Sequence, residues 1–191
     1  MIVMFIGPSS CGKDTFYNIT LNNFRLKNII LHTTRPIRNG EVDGKSYYFV
    51  TSDVLDKLDN DGLLIERRDY NTMYGIWSYA TSSSSISLDN NYITTNTWDG
   101  YKSFLNYYGR NIVIPLYFKL DKGLRLQRAL RREMMQDNPK YDELCRRYLA
   151  DEKDFTDELI EKYNPYIIDN NGSVSEAQEQ INNCLKRTLK N

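Results

Sequence analysis

The stretch Gly7-Pro8-Ser9-Ser10-Cys11-Gly12-Lys13-Asp14-Thr15 carries residue types and a spacing that can do chemistry. Two glycines bracket four residues, and a lysine follows the second. Backbone N–H groups of such a loop turn inward, and a helix starting at its end adds positive potential, so the pair cradles phosphate. Lys13 would add a compact mobile charge for β- and γ-phosphates. One letter departs from the usual pattern. The residue after the lysine is normally Ser or Thr, whose hydroxyl holds Mg²⁺; here it is Asp14, with Thr15 behind it. A carboxylate near triphosphate is repelled unless a metal lies between them. Either Asp14 binds Mg²⁺, directly or through water, or Thr15 takes that role; the plainer alternative is an acid complementing a helix N-terminus.

Two further groups of cations suit anions. Arg35 and Arg38 flank Pro36 three residues apart, and guanidinium grips phosphate through paired N–H bonds. Arg125, Arg128, Arg131, Arg132, Arg146 and Arg147 gather around Asn138-Pro139; Arg128 and Arg132, four apart, share a helical face. His32 is the single histidine, which cannot build a metal site alone and reads as a structural loop residue.

These groups need elements to hold them. Ile2 to Ile6 is apolar and long enough for one buried strand, and Phe16 to Leu21 continues as a helix. Asn28 to Leu31 reads as a second strand, ending in a polar connection through Gly44. Tyr47 to Val50, Leu63 to Glu66 and Tyr74 to Tyr79 are strand candidates, with a short helix from Val54 to about Asn60 capped by Ser52-Asp53. The serine-rich stretch from Thr81 to Asn91 reads as a linker or short capped helix. Beyond it, Asn91 to Thr95 is a strand, Tyr101 to Tyr107 a helix and Asn111 to Phe118 a strand. Helices are expected from Asp121 to about Gln136, where Leu124, Leu126, Leu130 and Met134 recur, and from Tyr141 to about Tyr163. Tyr166 to Ile168 closes the strands and Val174 to Leu189 the helices. Alternating strands and helices imply an α/β fold: a parallel sheet covered on both faces. Residues 33–80 break that rhythm and read as an inserted small α+β subdomain.

A chain of 191 residues suits one domain with a sizeable core. Lys plus Arg and Asp plus Glu are 25 each, so no bulk field recruits nucleic acid or membrane. Three cysteines, Cys11, Cys145 and Cys184, lack metal-ligand spacing and read as reduced thiols. With a strand from residue 2 and no apolar stretch of transmembrane length, a cytoplasmic protein without signal peptide is expected.

Thr34-Arg35-Pro36-Ile37-Arg38-Asn39-Gly40-Glu41-Val42-Asp43-Gly44-Lys45-Ser46-Tyr47-Tyr48-Phe49-Val50 resembles the guanylate kinase signature, alongside Gly7 to Lys13. The order of elements is similar to that family throughout. The resemblance implies a P-loop NTPase-type core (1–32 and 81–191), a nucleoside-monophosphate subdomain (33–80) and a helical lid (about 125–147) within one domain. It implies Mg²⁺-ATP-dependent phosphorylation of GMP or dGMP, with small nucleotides as partners and a monomer or homodimer as assembly. ATP would meet Gly7, Ser9, Ser10, Cys11, Gly12, Lys13, Asp14 and Thr15. Arg35, Arg38 and Tyr47, with Tyr74 beside Gly75, would hold the acceptor phosphate, and Glu66 would accept from guanine N1 and N2. Lys13, Arg38, Arg132 and Arg147 would serve the transfer, with Arg146 as substitute for Arg147.

Departures from the family bear on base choice. Leu31 replaces a phosphate-binding serine, and the segment from Glu66 to Gly75 is one residue short. Ile76 replaces a Ser or Thr that contacts guanine O6, and Thr95 and Thr97 stand where aspartates are usual. Asn71, Thr72 and Trp77 are alternative base contacts. Asp after the loop lysine also resembles ribose 1,5-bisphosphate phosphokinases, which lack the complete Arg-x-x-Arg…Tyr-x-Phe stretch. A catalytically weak guanylate-kinase-like protein-binding module is the other class; such modules typically lose the phosphate loop.

Overall fold

In the computed structural model, residues 1–37, 41–72, 75–137 and 139–189 are described. The apolar run at the N-terminus becomes β1 (Ile2–Ile6), every residue of it buried. It lies at the centre of a five-stranded sheet with β7 (Tyr92–Asn96) and β8 (Val113–Lys119) on either side. The outer strands are β2 (Lys27–Asn28) beside β7 and β9 (Tyr166–Asp169) beside β8, and every pairing is parallel. A parallel sheet needs cover on both faces, and side-chain alternation along β1 provides it. Val3 and Phe5 pack with α1 (Lys13–Asn23) and α7 (Val174–Thr188) through Phe16, Ala177, Ile181 and Leu185. Ile2, Met4 and Ile6 face α3 (Trp98–Tyr108) through Trp98, Tyr101 and Phe104. This is the expected α/β architecture of P-loop NTPase type, with a parallel central sheet between helices.

The second sheet is mixed, ordered β4-β3-β6-β5. It contains β3 (His32–Thr33), β4 (Tyr48–Phe49), β5 (Leu64–Thr72) and β6 (Gly75–Ser82), with α2 (Ser52–Asn60) between β4 and β5. The expected strand over Asn28 to Leu31 is instead divided. Lys27–Asn28 pairs with β7 in the central sheet, whereas His32–Thr33 pairs with β4 and β6 in the other. Ile29 to Leu31 carries the chain across, and Ile29 is buried in the main core. Propensity marked the run as β but could not show that two sheets share it.

The helix expected from Tyr141 to Tyr163 is two, α5 (Tyr141–Asp154) and α6 (Asp157–Tyr163), interrupted at Phe155-Thr156 with Thr156 as the second N-cap. α4 (Lys122–Met134), capped by the Asp121 side chain on Leu124 N–H, buries Arg125 and Ala129. Its apolar stripe of Leu124, Leu126, Leu130 and Met134 stays 40–62% exposed. The serine run extends β6 and then forms one turn of 3₁₀ helix, Ser83–Ser85, with the Ser82 hydroxyl accepting from Ser84 N–H.

Candidate active site

The phosphate loop leaves the buried end of β1 and turns into α1. Gly12 caps that helix at φ 101°, a region that only glycine occupies without strain. A Cβ there would also meet Asn170 Nδ2 at 2.4 Å. Asn170 follows β9, is 3% exposed, and donates from that nitrogen to the Cys11 carbonyl at 2.8 Å. The last strand thus latches the loop from below. Lys13 Nζ donates to the carbonyls of Gly7 and Pro8, the second at 2.9 Å, and to Cys11 Sγ at 3.5 Å. The Cys11 thiol is fully buried, and burial raises its pKa despite the lysine beside it.

Ser9, Ser10, Gly12, Lys13, Asp14 and Thr15 line a cleft of about 600 Å³. Its opposite wall carries Arg128 and Arg132 of α4, Arg147 of α5, and Asn170. Gly7 and Cys11 lie beneath the loop rather than on the cleft. Arg146 points elsewhere: it is 66% exposed and makes two 2.7 Å bonds to Glu143. Adjacent residues on a helix diverge by about 100°, so only one of the pair can face the loop. Arg147 touches Glu143 only at 3.6 Å.

What holds these arginines over the loop is Arg125, a member of the same cluster that the fold buries among acids rather than presenting to the cleft. Arg125 is 2% exposed, bonded to Asp151 at 3.2 Å and Glu152 at 2.5 Å, with its guanidinium 3.9 Å above the Tyr148 ring. Asp151 Oδ2 also accepts from Ser9 N–H at 2.8 Å. Arg125 thereby joins α4, α5 and the phosphate loop. Burial acts to raise the Glu152 pKa, but Lys122 and Arg125 override it and hold the carboxyl below its ordinary value.

On the second sheet, Arg35 is 4% exposed and sits over the rings of Tyr47, at 5.0 Å, and Phe49, at 5.5 Å. Both its terminal nitrogens bond the Glu41 carboxylate, which holds the guanidinium pKa well above its usual value. Tyr47 joins Leu31, Arg68, Tyr70, Trp77 and Tyr79 around a hollow of about 460 Å³. Arg38 and Tyr74 fall outside the described residues. His32 is buried against Tyr48, ring centroids 4.9 Å apart, and burial lowers its pKa.

Glu66 links the two sheets. It is 8% exposed and accepts from Asn96 Nδ2 at 3.0 Å and Thr81 Oγ1 at 3.1 Å. Asn96 ends β7 in register with Ile6, the residue before the loop. The second sheet is therefore fastened beside the phosphate loop. Thr97 is a helix cap, its hydroxyl accepting from Gly100 N–H. Asn96 had no motif to announce it, and neither did Asp151.

The family model for guanylate kinase matches residues 1–91. A guanylate kinase of Blochmanniella floridana is 32% identical over 132 residues, covering 63% of this chain and 60% of that protein. One of Lactococcus lactis is 38% identical over 73 residues and is covered over 35% of its length. The aligned parts thus span less than two thirds of these relatives. A guanylate kinase of Wigglesworthia glossinidia brevipalpis aligns across 96% of this chain and 94% of its own, at 29% identity. The crystal structure of guanylate kinase from Anaplasma phagocytophilum superposes with a TM-score of 0.57 over 98% of this chain and 85% of that one, at 21% identity, a likeness of fold. With the phosphate loop in place on this fold, the chain is similar to guanylate kinases in sequence over its first 91 residues and in fold over nearly its whole length.

Proposed function

We propose that the protein transfers the γ-phosphoryl group of ATP directly to a nucleoside monophosphate, GMP or dGMP, giving the diphosphate and ADP. The observation that carries this reading is the meeting of Lys13 with Arg128, Arg132 and Arg147 across one cleft. Phosphoryl transfer asks for positioning and for positive charge around the moving group, with no covalent nucleophile. The loop N–H groups and Lys13 would take the β- and γ-phosphates. Arg132 and Arg147, on the far wall, suit charge that grows on the transferred group. Arg35, Arg38, Tyr47 and Tyr74 would orient the acceptor phosphate in line, and Glu66 would hold the base.

Among the described residues no three His, Cys, Asp or Glu side chains gather to hold an ion. A metal at the cleft must then take most ligands from phosphate and water. Mg²⁺ does so by preference, and Asp14 with Thr15 on the cleft wall supplies fitting oxygen donors. When bound, Mg²⁺ would neutralise phosphate charge; Asp14, directly or through water, or Thr15 would hold it, and a metal between Asp14 and the phosphates would offset their repulsion. No described helix is long and apolar enough to cross a membrane.

A coupled assay of ADP release across GMP, dGMP, AMP, UMP and ribose 1,5-bisphosphate tests this assignment. Turnover highest with GMP or dGMP supports it. Turnover only with the bisphosphate moves the protein to the related phosphokinases, and silence with every acceptor leaves a binding module.

A further inference from the structure

The base end of the acceptor site carries a cation where a neutral hydroxyl would serve. Arg68 stands two residues beyond Glu66 on β5, hence on the same face of the strand. Its NH2 group donates to Glu66 Oε1 at 3.4 Å. That oxygen already accepts from Thr81 and Asn96. A carboxylate offers about two lone-pair sites per oxygen, so three donors saturate Oε1. Oε2 makes no hydrogen bond among the described residues, and Arg68 Nε is buried without a partner. Arg68 also lines the hollow formed by Tyr47, Tyr70, Trp77 and Tyr79.

We propose that Arg68 and Glu66 Oε2 form a two-point reader for 6-oxopurine monophosphates that leaves the 2-amino group unread. This rests on the kinase reading above. An unpartnered donor on Arg68 and an acceptor oxygen on Glu66, carried by two side chains that already touch at Oε1, suit a C6 carbonyl next to N1–H, a pair common to guanine and hypoxanthine. Adenine reverses both positions and sets donor against donor. The 2-amino group of guanine would look for a second carboxylate oxygen and find Oε1 full. A site that reads an N–H through buried polar groups rejects the analogue lacking it by about 10⁴-fold; a site without that reading does not. Arg68 is therefore a specificity-determining residue, and it supplies the donor that Ile76 cannot.

Steady-state kcat/KM for GMP, inosine 5′-monophosphate and AMP, with ATP in excess, tests this in the wild-type chain. The expected result is GMP and the inosine nucleotide within about tenfold of each other, and AMP lower by about 10²-fold or more. A preference for GMP over the inosine nucleotide beyond tenfold overturns the proposal while leaving the kinase reading intact. Turnover of none of the three overturns both. Arg68→Ala should lower kcat/KM for both 6-oxopurines relative to AMP by at least about tenfold while leaving the GMP-to-inosine-nucleotide ratio within about tenfold, since Thr81 and Asn96 still fill both sites of Oε1. A proportional loss on all three substrates, as a purely structural arginine would give, also overturns it. If that variant fails to fold, the wild-type comparison decides alone.

Discussion

Arg125→Ala tests whether the wall facing the phosphate loop is held by a buried cation. In the folded chain Arg125 is 2% exposed, while Asp151 is 15% and Glu152 27% exposed. Removing one partner of a buried ion pair costs about 3–5 kcal/mol, because the other charge stays buried. Two features reduce that here: both acids reach some water, and Glu152 keeps Lys122 at 2.5 Å. The Tyr148 stacking at 3.9 Å adds back about 0.5–2 kcal/mol. The net expectation is a loss of about 2–4 kcal/mol. At about 2–4 °C per kcal/mol for a chain of this size, the melting temperature should fall by about 4–16 °C. Because Asp151 also holds Ser9 N–H, the KM for ATP should rise in the same variant. Thermal unfolding by circular dichroism, with and without a non-hydrolysable ATP analogue, measures both effects. A melting temperature lowered by less than about 2 °C, with unchanged analogue stabilisation, would refute the brace.

Arg132→Ala should reduce kcat on the order of 10³-fold, as for arginines that meet only the transferring group, while the KM for ATP changes far less. The opposite split in steady-state kinetics removes Arg132 from the transfer step. Gly12→Ala puts a Cβ 2.4 Å from Asn170 Nδ2 at a φ of 101°, so the Asn170–Cys11 bond must break. Titration calorimetry should show ATP affinity down at least about tenfold, the ~1–3 kcal/mol of an orphaned buried carbonyl, and wild-type affinity would contradict the latch. Acid stability follows from the carboxylates held low: Glu152 by Lys122 and Arg125 against the opposing effect of burial, Asp69 by Ser78 and Arg67, and Asp169 by Asn171. A depressed carboxylate stabilises the fold above its unfolded pKa and loses that contribution as pH falls through the folded one. Urea midpoints should therefore hold steady from pH 7 to about 5 and decline below it; a midpoint rising toward pH 4 would show the assignment to be wrong.

Much of the fold was legible because the signals were local. Ile2 to Ile6 is apolar at every position, and the strand came out with those bounds. Gly12 and Lys13 announce their site by backbone freedom and charge, which do not depend on distant residues. The interruption at Phe155-Thr156 was not legible, since helical spacing continues across it. The crossing at Ile29 to Leu31 was hidden because an apolar run looks alike whether it serves one sheet or two. On α4, hydropathy marks the leucine stripe, yet the buried position belongs to Arg125. Its two acids lie on another helix, about 26 residues away.

The sequence alone therefore determined the glycine-bounded loop between a buried strand and a helix, and most of the order of strands and helices. These rest on backbone stereochemistry, formal charge and periodicity, all properties of short segments. Only the tertiary structure decided that Arg147 rather than Arg146 faces the loop. It also decided that Asn96 and Arg68 share one oxygen of Glu66. Those outcomes depend on the rotation of a helix about its axis and on a strand of one sheet brought against the end of a strand of the other, and no local pattern encodes either.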